Sequence, residues 1–155
     1  MKKTALYIII SIFISGCLIS EVKPKRVDYY KYINKSYLKK LKFSKDNLAT
    51  VKIDKNWYYV KPDGKAILVI DNRGRPDPFK EGLARTRFNG KIGFFNRNLD
   101  IVIEPLYNFA FPFHNGVSEV CIGCRDLKYY GTELLDGGEW KRINRKGIII
   151  EEVTN

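Results

Sequence analysis

The sequence is poor in the residues that metal centres and redox sites require. Its 155 residues include three Cys, one His and one Met. A structural metal site needs about four ligands, whereas the chain offers a single Cys-x-x-Cys pair and the lone His114. Long apolar runs are also missing, because residues 5–14 fall well short of the roughly 20 residues that cross a bilayer. We therefore expect no metal, no cofactor and no membrane-spanning helix.

The first 16 residues have the pattern of an export signal. Lys2 and Lys3 give a positive start, an apolar run follows, and Ser15 and Gly16 supply the small residues at which such signals are cut. We interpret residues 1–16 as a signal peptide that is removed. The mature protein is then expected outside the cytoplasm.

Cys17 stands directly after these small residues. The ending Ile14-Ser15-Gly16-Cys17 resembles the lipobox of bacterial lipoproteins. The resemblance implies cleavage before Cys17 and acylation of that Cys with fatty acids such as palmitate. It also implies residence at the cell membrane or the outer membrane, facing the periplasm or the exterior, since two acyl chains anchor a protein stably. A plain secretory signal that leaves a free Cys17 thiol and an uncleaved anchor are the alternatives.

Positive charge is concentrated next to the expected anchor. From Glu21 to Lys45 there are nine Lys or Arg and two acidic residues, whereas from Asp46 onward 17 basic residues face 15 acidic ones. Several Tyr interleave with these charges. The segment from Lys23 to Lys45 is therefore a candidate surface for anionic lipid or an anionic envelope polymer. A solvated tether is the alternative, and nucleic acid is disfavoured because an exported chain rarely meets it.

The remainder of the chain repeats itself. Apolar, turn and aromatic positions recur together in the aligned pairs 48–60 with 83–95, 79–84 with 113–118, and 57–64 with 140–147. One unit of about 35 residues cannot bury an apolar face alone, and about three stacked units are the usual minimum. The pattern therefore predicts three units that share a continuous core.

Each unit reads as short strands separated by turns. Asn89-Gly90 is a strong hairpin signal, because both residues tolerate the positive φ of a type I′ turn. It divides two predicted strands, 83–88 and 91–96. A third strand is expected at 100–103. Pro105 is expected to end its pairing, because proline has no N–H to donate.

The predicted fold is all-β, with about three tandem β-hairpin repeats in a meander or solenoid-like array. One short helix fits the apolar spacing within 29–41. Trp57, Ile92 and Trp140 occupy equivalent positions and are predicted to fill the core. The predicted domains are the signal peptide 1–16, a basic, aromatic-rich tether 17–42, and a repeat domain 43–155, divided into 43–78, 79–112 and 113–155 with an insert at 122–139.

The second unit carries a family resemblance. Within residues 79–113 three motifs follow in order: Phe-x-x-Gly-Leu-Ala, Asn-Gly-Lys-Ile-Gly-Phe-Phe, and Ile-Val-Ile-Glu-Pro-Leu-Tyr-x-x-Ala-x-Pro-Phe. Together they resemble the WG repeat of bacterial exported proteins, and the resemblance extends over residues 43–150. The namesake pair is incomplete, since Trp57-Tyr58 and Trp140-Lys141 lack the Gly and Ile92-Gly93 lacks the Trp. The resemblance implies β-hairpin repeats, often on surface-located proteins, and no catalytic residues.

Cys121 and Cys124 form the remaining pattern that could carry chemistry. They lie where the third unit departs from the other two. In an exported protein, two Cys this close are expected to form a disulfide that ties down the base of the insert. Free thiols, a metal site and a redox pair are the alternatives. A redox pair usually accompanies a helix N-terminus and a βαβ pattern, and the sequence shows neither.

The sequence contains no recognisable enzyme motif. The carboxylates Glu81, Glu104, Glu119 and Glu133 are scattered, and there is no nucleophile elbow, phosphate loop or two-His metal motif. We therefore predict a lipid-anchored cell-envelope protein that is not an enzyme, whose β-repeat module binds or scaffolds a protein or glycan partner. The alternatives are an envelope enzyme acting on cell-wall or glycan substrates, and a structural or immunity-like lipoprotein with one protein partner.

Overall fold

The chain folds almost entirely into short antiparallel strands. A computed structural model describes residues 28–129 and 132–153, which form fifteen strands and one short helix and confirm the all-β class. In chain order the elements are β1 (Tyr30–Tyr32), α1 (Lys35–Leu38), β2 (Ala49–Ile53), β3 (Asn56–Val60), β4 (Lys65–Val69), β5 (Asp71–Asn72), β6 (Arg75–Pro76), β7 (Leu83–Phe88), β8 (Lys91–Asn96), β9 (Ile101–Tyr107), β10 (Phe109–Ala110), β11 (Val117–Ile122), β12 (Arg125–Tyr129), β13 (Thr132–Asp136), β14 (Glu139–Asn144) and β15 (Ile149–Val153).

Three of the sheets share one plan, which is a three-stranded meander. We call them repeat 1 (β2-β3-β4), repeat 2 (β7-β8-β9) and repeat 3 (β11-β14-β15). Repeat 1 gains β1 along the outer edge of β4, and repeat 3 gains β10 along the outer edge of β11. The small hairpin β5-β6 follows repeat 1, and the hairpin β12-β13 lies inside repeat 3.

Turn chemistry explains where the strands reverse. Asn89 and Gly90 have φ of 47° and 76°, as the type I′ turn requires, and the two flanking strands have the predicted bounds. Asp54 and Lys55 make the corresponding turn of repeat 1 with φ of 48° and 68°. The hairpins that the local sequence predicts are therefore present.

The expectation that Pro105 ends strand pairing is wrong. Strand β9 continues to Tyr107, because the chain bulges between the pairs Phe94↔Ile103 and Ile92↔Tyr107. The bulge lies opposite Gly93, where an added Cβ would lie 2.7 Å from the Pro105 nitrogen and 2.8 Å from the Glu104 carbonyl carbon. A proline is tolerated here because a bulged residue makes no regular ladder hydrogen bond.

The repeats stack through opposite faces of their sheets. We call the two faces of each sheet face A and face B. Face A carries Val60 in repeat 1, Phe95 in repeat 2 and Ile143 in repeat 3. Face B carries the residue that directly precedes each of these in the central strand. One apolar cluster joins face B of repeat 1 to face A of repeat 2: Leu48, Ile67, Val69, Ala84, Phe95 and Leu99. A second joins face B of repeat 2 to face A of repeat 3: Leu83, Ile92, Phe94, Ile103, Tyr107, Ala110, Phe113, Val120 and Ile143. The core therefore runs continuously through the three repeats.

The N-terminal segment covers face A of repeat 1. Helix α1 begins after Asn34, whose side chain caps it by accepting a hydrogen bond from the Ser36 N–H, and its Leu38 packs with Val51, Val60 and Ala66. Strand β1 pairs with β4, and Tyr30 packs on the cluster between repeats 1 and 2. The predicted short helix is confirmed. Apolar contacts hold residues 30–38 of the expected tether on the fold, so this part is structured.

The three positions predicted to fill the core differ in burial. Ile92 is buried, and its side chain lies in the cluster between repeats 2 and 3. Trp57 and Trp140 are only half-buried. Trp57 packs at the margin of the cluster between repeats 1 and 2. The prediction that these positions fill the core is therefore confirmed for Ile92, whereas the two Trp are only partly buried.

Candidate functional site

One face of the stack has no repeat against it. Face B of repeats 1 and 2 is covered by the next repeat, whereas no fourth repeat is present among the described residues 28–129 and 132–153 to cover face B of repeat 3. We call this surface the terminal face. The terminal face is a candidate binding site, because face B of repeat 1 and face B of repeat 2 each pack against the next repeat.

The terminal face has exchanged apolar side chains for charged ones. Arg142 stands where the other repeats have Tyr59 and Phe94, as the aligned pairs 57–64 with 140–147 and 48–60 with 83–95 show. Glu151 lies opposite Arg142, as Ile103 lies opposite Phe94 in repeat 2. Such polar replacements are typical of the last unit in a repeat stack, which must remain soluble.

An aromatic cluster remains on the terminal face beside these charges. Phe109, Phe111 and Trp140 pack edge to face or tilted, with ring centroids 5.0 Å apart for the two Phe and 6.1 and 6.2 Å from each Phe to Trp140. The Phe111 side chain is 45% exposed. Aromatic rings that are partly exposed and held by one another offer a rigid apolar surface at little entropic cost.

A hydrogen-bonded row of three charges crosses the same face. Arg142 donates from Nε (3.0 Å) and Nη2 (2.9 Å) to Glu119 Oε1, and from Nη1 (2.8 Å) to Glu151 Oε2. These bonds, first to Glu151 and then to Glu119, raise the pKa of the Arg142 guanidinium above its ordinary value. The Arg142 charge is thereby fixed in place between the two carboxylates.

Phe111 of the aromatic cluster and the charged row border an open groove with a volume of 580 Å³. The groove is lined by Phe111, Pro112, His114, Asn115, Val117, Glu119, Arg142, Ile150 and Glu151. Its composition is an apolar floor with a few polar groups, which is the usual composition of a binding cleft. Because Arg142 already engages an oxygen of each carboxylate, the row is better suited to orient a bound molecule than to exchange protons with it.

The two predicted disulfide cysteines lie at the margin of the terminal face. Cys121 and Cys124 are at disulfide distance, with their Cα atoms 6.1 Å apart, and both are buried. Cys121 is the cross-strand partner of Trp140 on one side and of Phe109 on the other. A disulfide between them would close only a short loop, so its effect on stability would be small.

The insert is a second hairpin that replaces a two-residue turn. Strands β11 and β14 pair as far as Ile122 and Glu139, so the additional residues are 123–138, one residue shorter at each end than expected. Gly138 sits against the cysteines, where an added Cβ would lie 2.7 Å from Cys121 Sγ. The cysteine pair and this glycine therefore lie close together at the base from which β12-β13 extends.

Other predicted sites lie elsewhere or outside the described residues. Cys17, Lys23, Lys25 and Arg26 belong to residues 1–27, which the structure does not describe. From residue 28 to residue 45 the basic side chains are all exposed: Lys31, Lys35, Lys39, Lys40, Lys42 and Lys45. The described residues hold no group of His, Cys, Asp and Glu that could ligate a metal. No helix among them has the length and apolarity needed to cross a membrane.

A buried ion pair that the sequence analysis missed supports the stack behind the terminal face. Asp77 is 1% exposed and receives three hydrogen bonds from Arg85, while Arg85 Nη1 donates to the Ala110 carbonyl oxygen at 2.8 Å. The pair thus links the segment that follows β6, strand β7 and strand β10. The sequence signal was weak, because the aligned position holds Thr50 in repeat 1 and Arg85 in repeat 2.

Comparison with known protein families matches part of the chain to a repeat family. No curated protein and no solved structure matches the chain. The matched family model is the WG containing repeat, over residues 92–123. These residues run from β8 through β11, across the junction between repeats 2 and 3. The chain therefore carries a WG containing repeat at this junction.

Proposed function

We propose that this chain is a lipid-anchored cell-envelope protein whose repeat stack is a non-catalytic binding module for a protein or glycan partner. The observation that carries the proposal is the terminal face, with its rigid aromatic cluster, its fixed row of charges and its groove. Aromatic rings offer stacking area to a sugar ring or an apolar side chain, and the charged row offers hydrogen bonds that orient either one.

The anchor and the terminal face lie at opposite ends of the stack in this proposal. The N-terminal segment covers repeat 1, whereas the groove belongs to repeat 3. Exposed Lys side chains on residues 31–45, together with Tyr32 and Tyr37, suit an anionic membrane surface or envelope polymer. The acylated Cys17 and this basic segment would hold repeat 1 near the membrane and present repeat 3 to the partner.

Loss of the anchor should release the protein from the membrane. In the Cys17→Ser variant no thiol is available for acylation, so we expect the chain in the soluble fraction of lysed cells, whereas the native chain sediments with membranes. The matched control is Cys124→Ser, which should stay with the membranes. A Cys17→Ser chain that sediments as the native chain does would contradict the anchoring proposal.

Truncation of the aromatic cluster should weaken partner binding at least tenfold. Phe111→Ala removes an apolar side chain from the groove lining, and Trp140→Ala removes a ring that packs beside Phe111. Aromatic anchors at interfaces are worth about 2 kcal/mol or more. The measurement is retention of the purified protein on isolated envelope material, with Leu106→Ala, an exposed side chain on β9, as the control. Equal retention of all variants would overturn the assignment of the site. Hydrolysis of a glycan or peptide substrate that Glu119→Gln abolishes would instead favour the enzyme.

A further inference from the structure

In repeat 2 the chain fills the space beside the outer edge of the first strand, which we call the corner of a repeat. The Arg85 backbone N–H on β7 donates to Asp77 Oδ2 at 3.1 Å, and the Arg85 guanidinium binds the same carboxylate. Arg85 lies opposite Phe94, which packs on Phe113 with ring centroids 4.8 Å apart. A guanidinium, a carboxylate and an aromatic pair therefore meet at this corner.

Repeat 1 has the same corner without the long side chain. Thr50 on β2 takes the place of Arg85 and lies opposite Tyr59. Tyr59 packs on Phe79, again with ring centroids 4.8 Å apart. Thr50 and this aromatic pair line an open cleft with a volume of 520 Å³. The short Thr50 side chain thus leaves open the space that Arg85 occupies in repeat 2, and we call this space the repeat 1 cleft.

The repeat 1 cleft carries positive charge where repeat 2 has a carboxylate. Lys42 takes the place of Asp77, since each precedes the exchanged residue of the first strand by eight positions. The Lys42 side chain is exposed and has no acidic partner within residues 28–129 and 132–153. Arg97 also lines the cleft, but it already binds Asp46 at 2.9 Å. No described residue in the lining is acidic, so the charge of Lys42 is uncompensated.

The Thr50 backbone N–H points outward from the sheet at the repeat 1 cleft. Strand β2 pairs with β3 without a register shift, and among the described residues no strand pairs with its outer side. Inward and outward N–H groups alternate along such a strand. Thr50 and Arg85 each lie three residues before the end of their strands, so their N–H groups have the same outward direction. In repeat 2 that N–H binds a carboxylate oxygen.

We infer that the repeat 1 cleft is a binding site for the carboxylate group of a ligand. One carboxylate oxygen accepts from the Thr50 backbone N–H, in the way that the corner of repeat 2 shows. The Lys42 ammonium supplies the counter-charge, and the body of the ligand packs against Tyr59. The site lies in repeat 1 and is independent of the binding proposed for the terminal face.

The test is an NMR titration of the isotope-labelled mature chain with two carboxylate probes. N-acetyl-aspartate N′-methylamide represents an acidic peptide side chain, and methyl glucuronoside represents an acidic sugar. We expect at least one of them to shift the Thr50 amide signal with saturation. The neutral counterparts, N-acetyl-asparagine N′-methylamide and methyl glucoside, should bind about tenfold more weakly or less, because they lose a hydrogen bond to a charged group. The tighter probe identifies the source of the carboxylate.

Three variants of the protein provide the matched comparison. Lys42→Met keeps the aliphatic stem and removes the charge, so it should weaken binding of the carboxylate probe about tenfold. Lys45→Met is the control, because Lys45 is exposed on the same segment and does not line the cleft. Thr50→Arg should abolish binding by filling the cleft, as Arg85 fills the corner of repeat 2. All three native side chains are exposed, so the variants should keep the native circular dichroism spectrum.

A Thr50 amide signal that neither carboxylate probe shifts, or that shifts without saturation, would overturn the inference. Neutral counterparts that bind as tightly as the carboxylates, or equal binding by Lys42→Met and Lys45→Met, would do the same. So would a natively folded Thr50→Arg chain that still binds the probe. Phe111→Ala should leave the titration unchanged, and a loss of binding in that variant would assign the carboxylate to the terminal face instead.

Discussion

Asp77→Ala is expected to lower the free energy of unfolding by about 3–5 kcal/mol, because it leaves the Arg85 guanidinium buried without its counter-ion. The Arg85 side chain is only 12% exposed and the Asp77 side chain 1%. Asp77 Oδ2 accepts from the Arg85 backbone N–H and from Nε, and Oδ1 accepts from Nη2 at 2.6 Å. Removing the carboxylate therefore leaves the Arg85 backbone N–H without its acceptor and the Arg85 guanidinium without its counter-ion.

The measurement is chemical denaturation of the mature chain, followed by circular dichroism. Glu139→Ala is the control, because the Glu139 side chain is 74% exposed where it pairs with Lys141 at 3.3 Å, and its loss should change stability by no more than about 1 kcal/mol. Asp77→Asn keeps the shape and an acceptor oxygen, so it should fall between the two. An Asp77→Ala chain as stable as Glu139→Ala would show that the buried pair does not hold the repeats together.

Gly93→Ala is expected to destabilise the fold by about 3 kcal/mol, because the added methyl group would meet backbone atoms that cannot swing away. Its Cβ would lie 2.7 Å from the Pro105 nitrogen and 2.8 Å from the Glu104 carbonyl carbon. The bulge of β9 creates this close approach, and it lies in the middle of the stack between repeats 1 and 3. A shift of β9 would also disturb Ile103 and Tyr107 in the core.

The control for Gly93→Ala is Gly90→Ala in the hairpin turn. Gly90 has φ of 76° and no neighbour within 4 Å of an added Cβ, so the substitution meets only backbone strain of about 1 kcal/mol. Thermal unfolding of both variants gives the comparison. A Gly93→Ala chain that is no less stable than Gly90→Ala would mean that the bulge relaxes freely.

The same bulge accounts for the Gly of the Trp-Gly pair, which this chain has only in repeat 2. Repeat 1 has Tyr58 at the position of Gly93, and there β3 and β4 pair in regular register. Repeat 3 has Lys141 at this position, where β14 and β15 keep their register from Trp140 to Arg142, and the bulge of β15 comes only after Arg142. Glycine is needed only where β9 approaches β8 closely, and this is where the family match begins.

Local signals in the sequence were sufficient for the strands and turns. Asn89-Gly90 determines its hairpin because both residues adopt positive φ. The strands 83–88 and 91–96 can be predicted from the local side-chain pattern alone, without knowledge of their partner strands. The prediction for Pro105 was wrong because it relied on the missing N–H of proline, which argues against pairing. A bulge opposite Gly93 allows β9 to continue without a hydrogen bond from that residue. That bulge depends on tertiary approach, which single-sequence patterns do not contain.

The terminal face was only partly readable from the sequence. The alignment of repeats places Arg142 with Tyr59 and Phe94, and this replacement marks the end of the stack. The contribution of Phe109 and Phe111 could not be read, because β10 is a two-residue strand that joins β11 from outside the repeat pattern. Asp77 and Arg85 were missed for a similar reason, since a pair that occurs in one repeat leaves no periodic signal.

Hydroxyl-radical footprinting of the protein in intact envelopes and in purified form is the most direct measurement of the central claim, that the last repeat exposes a partner site. We expect Phe111, Trp140 and Ile150 to be labelled in the purified protein and protected in the envelope. Phe94 and Phe95, which are buried between repeats, should resist labelling in both states. Equal labelling of Phe111 in both preparations, or ready labelling of Phe94 in the purified protein, would contradict the account.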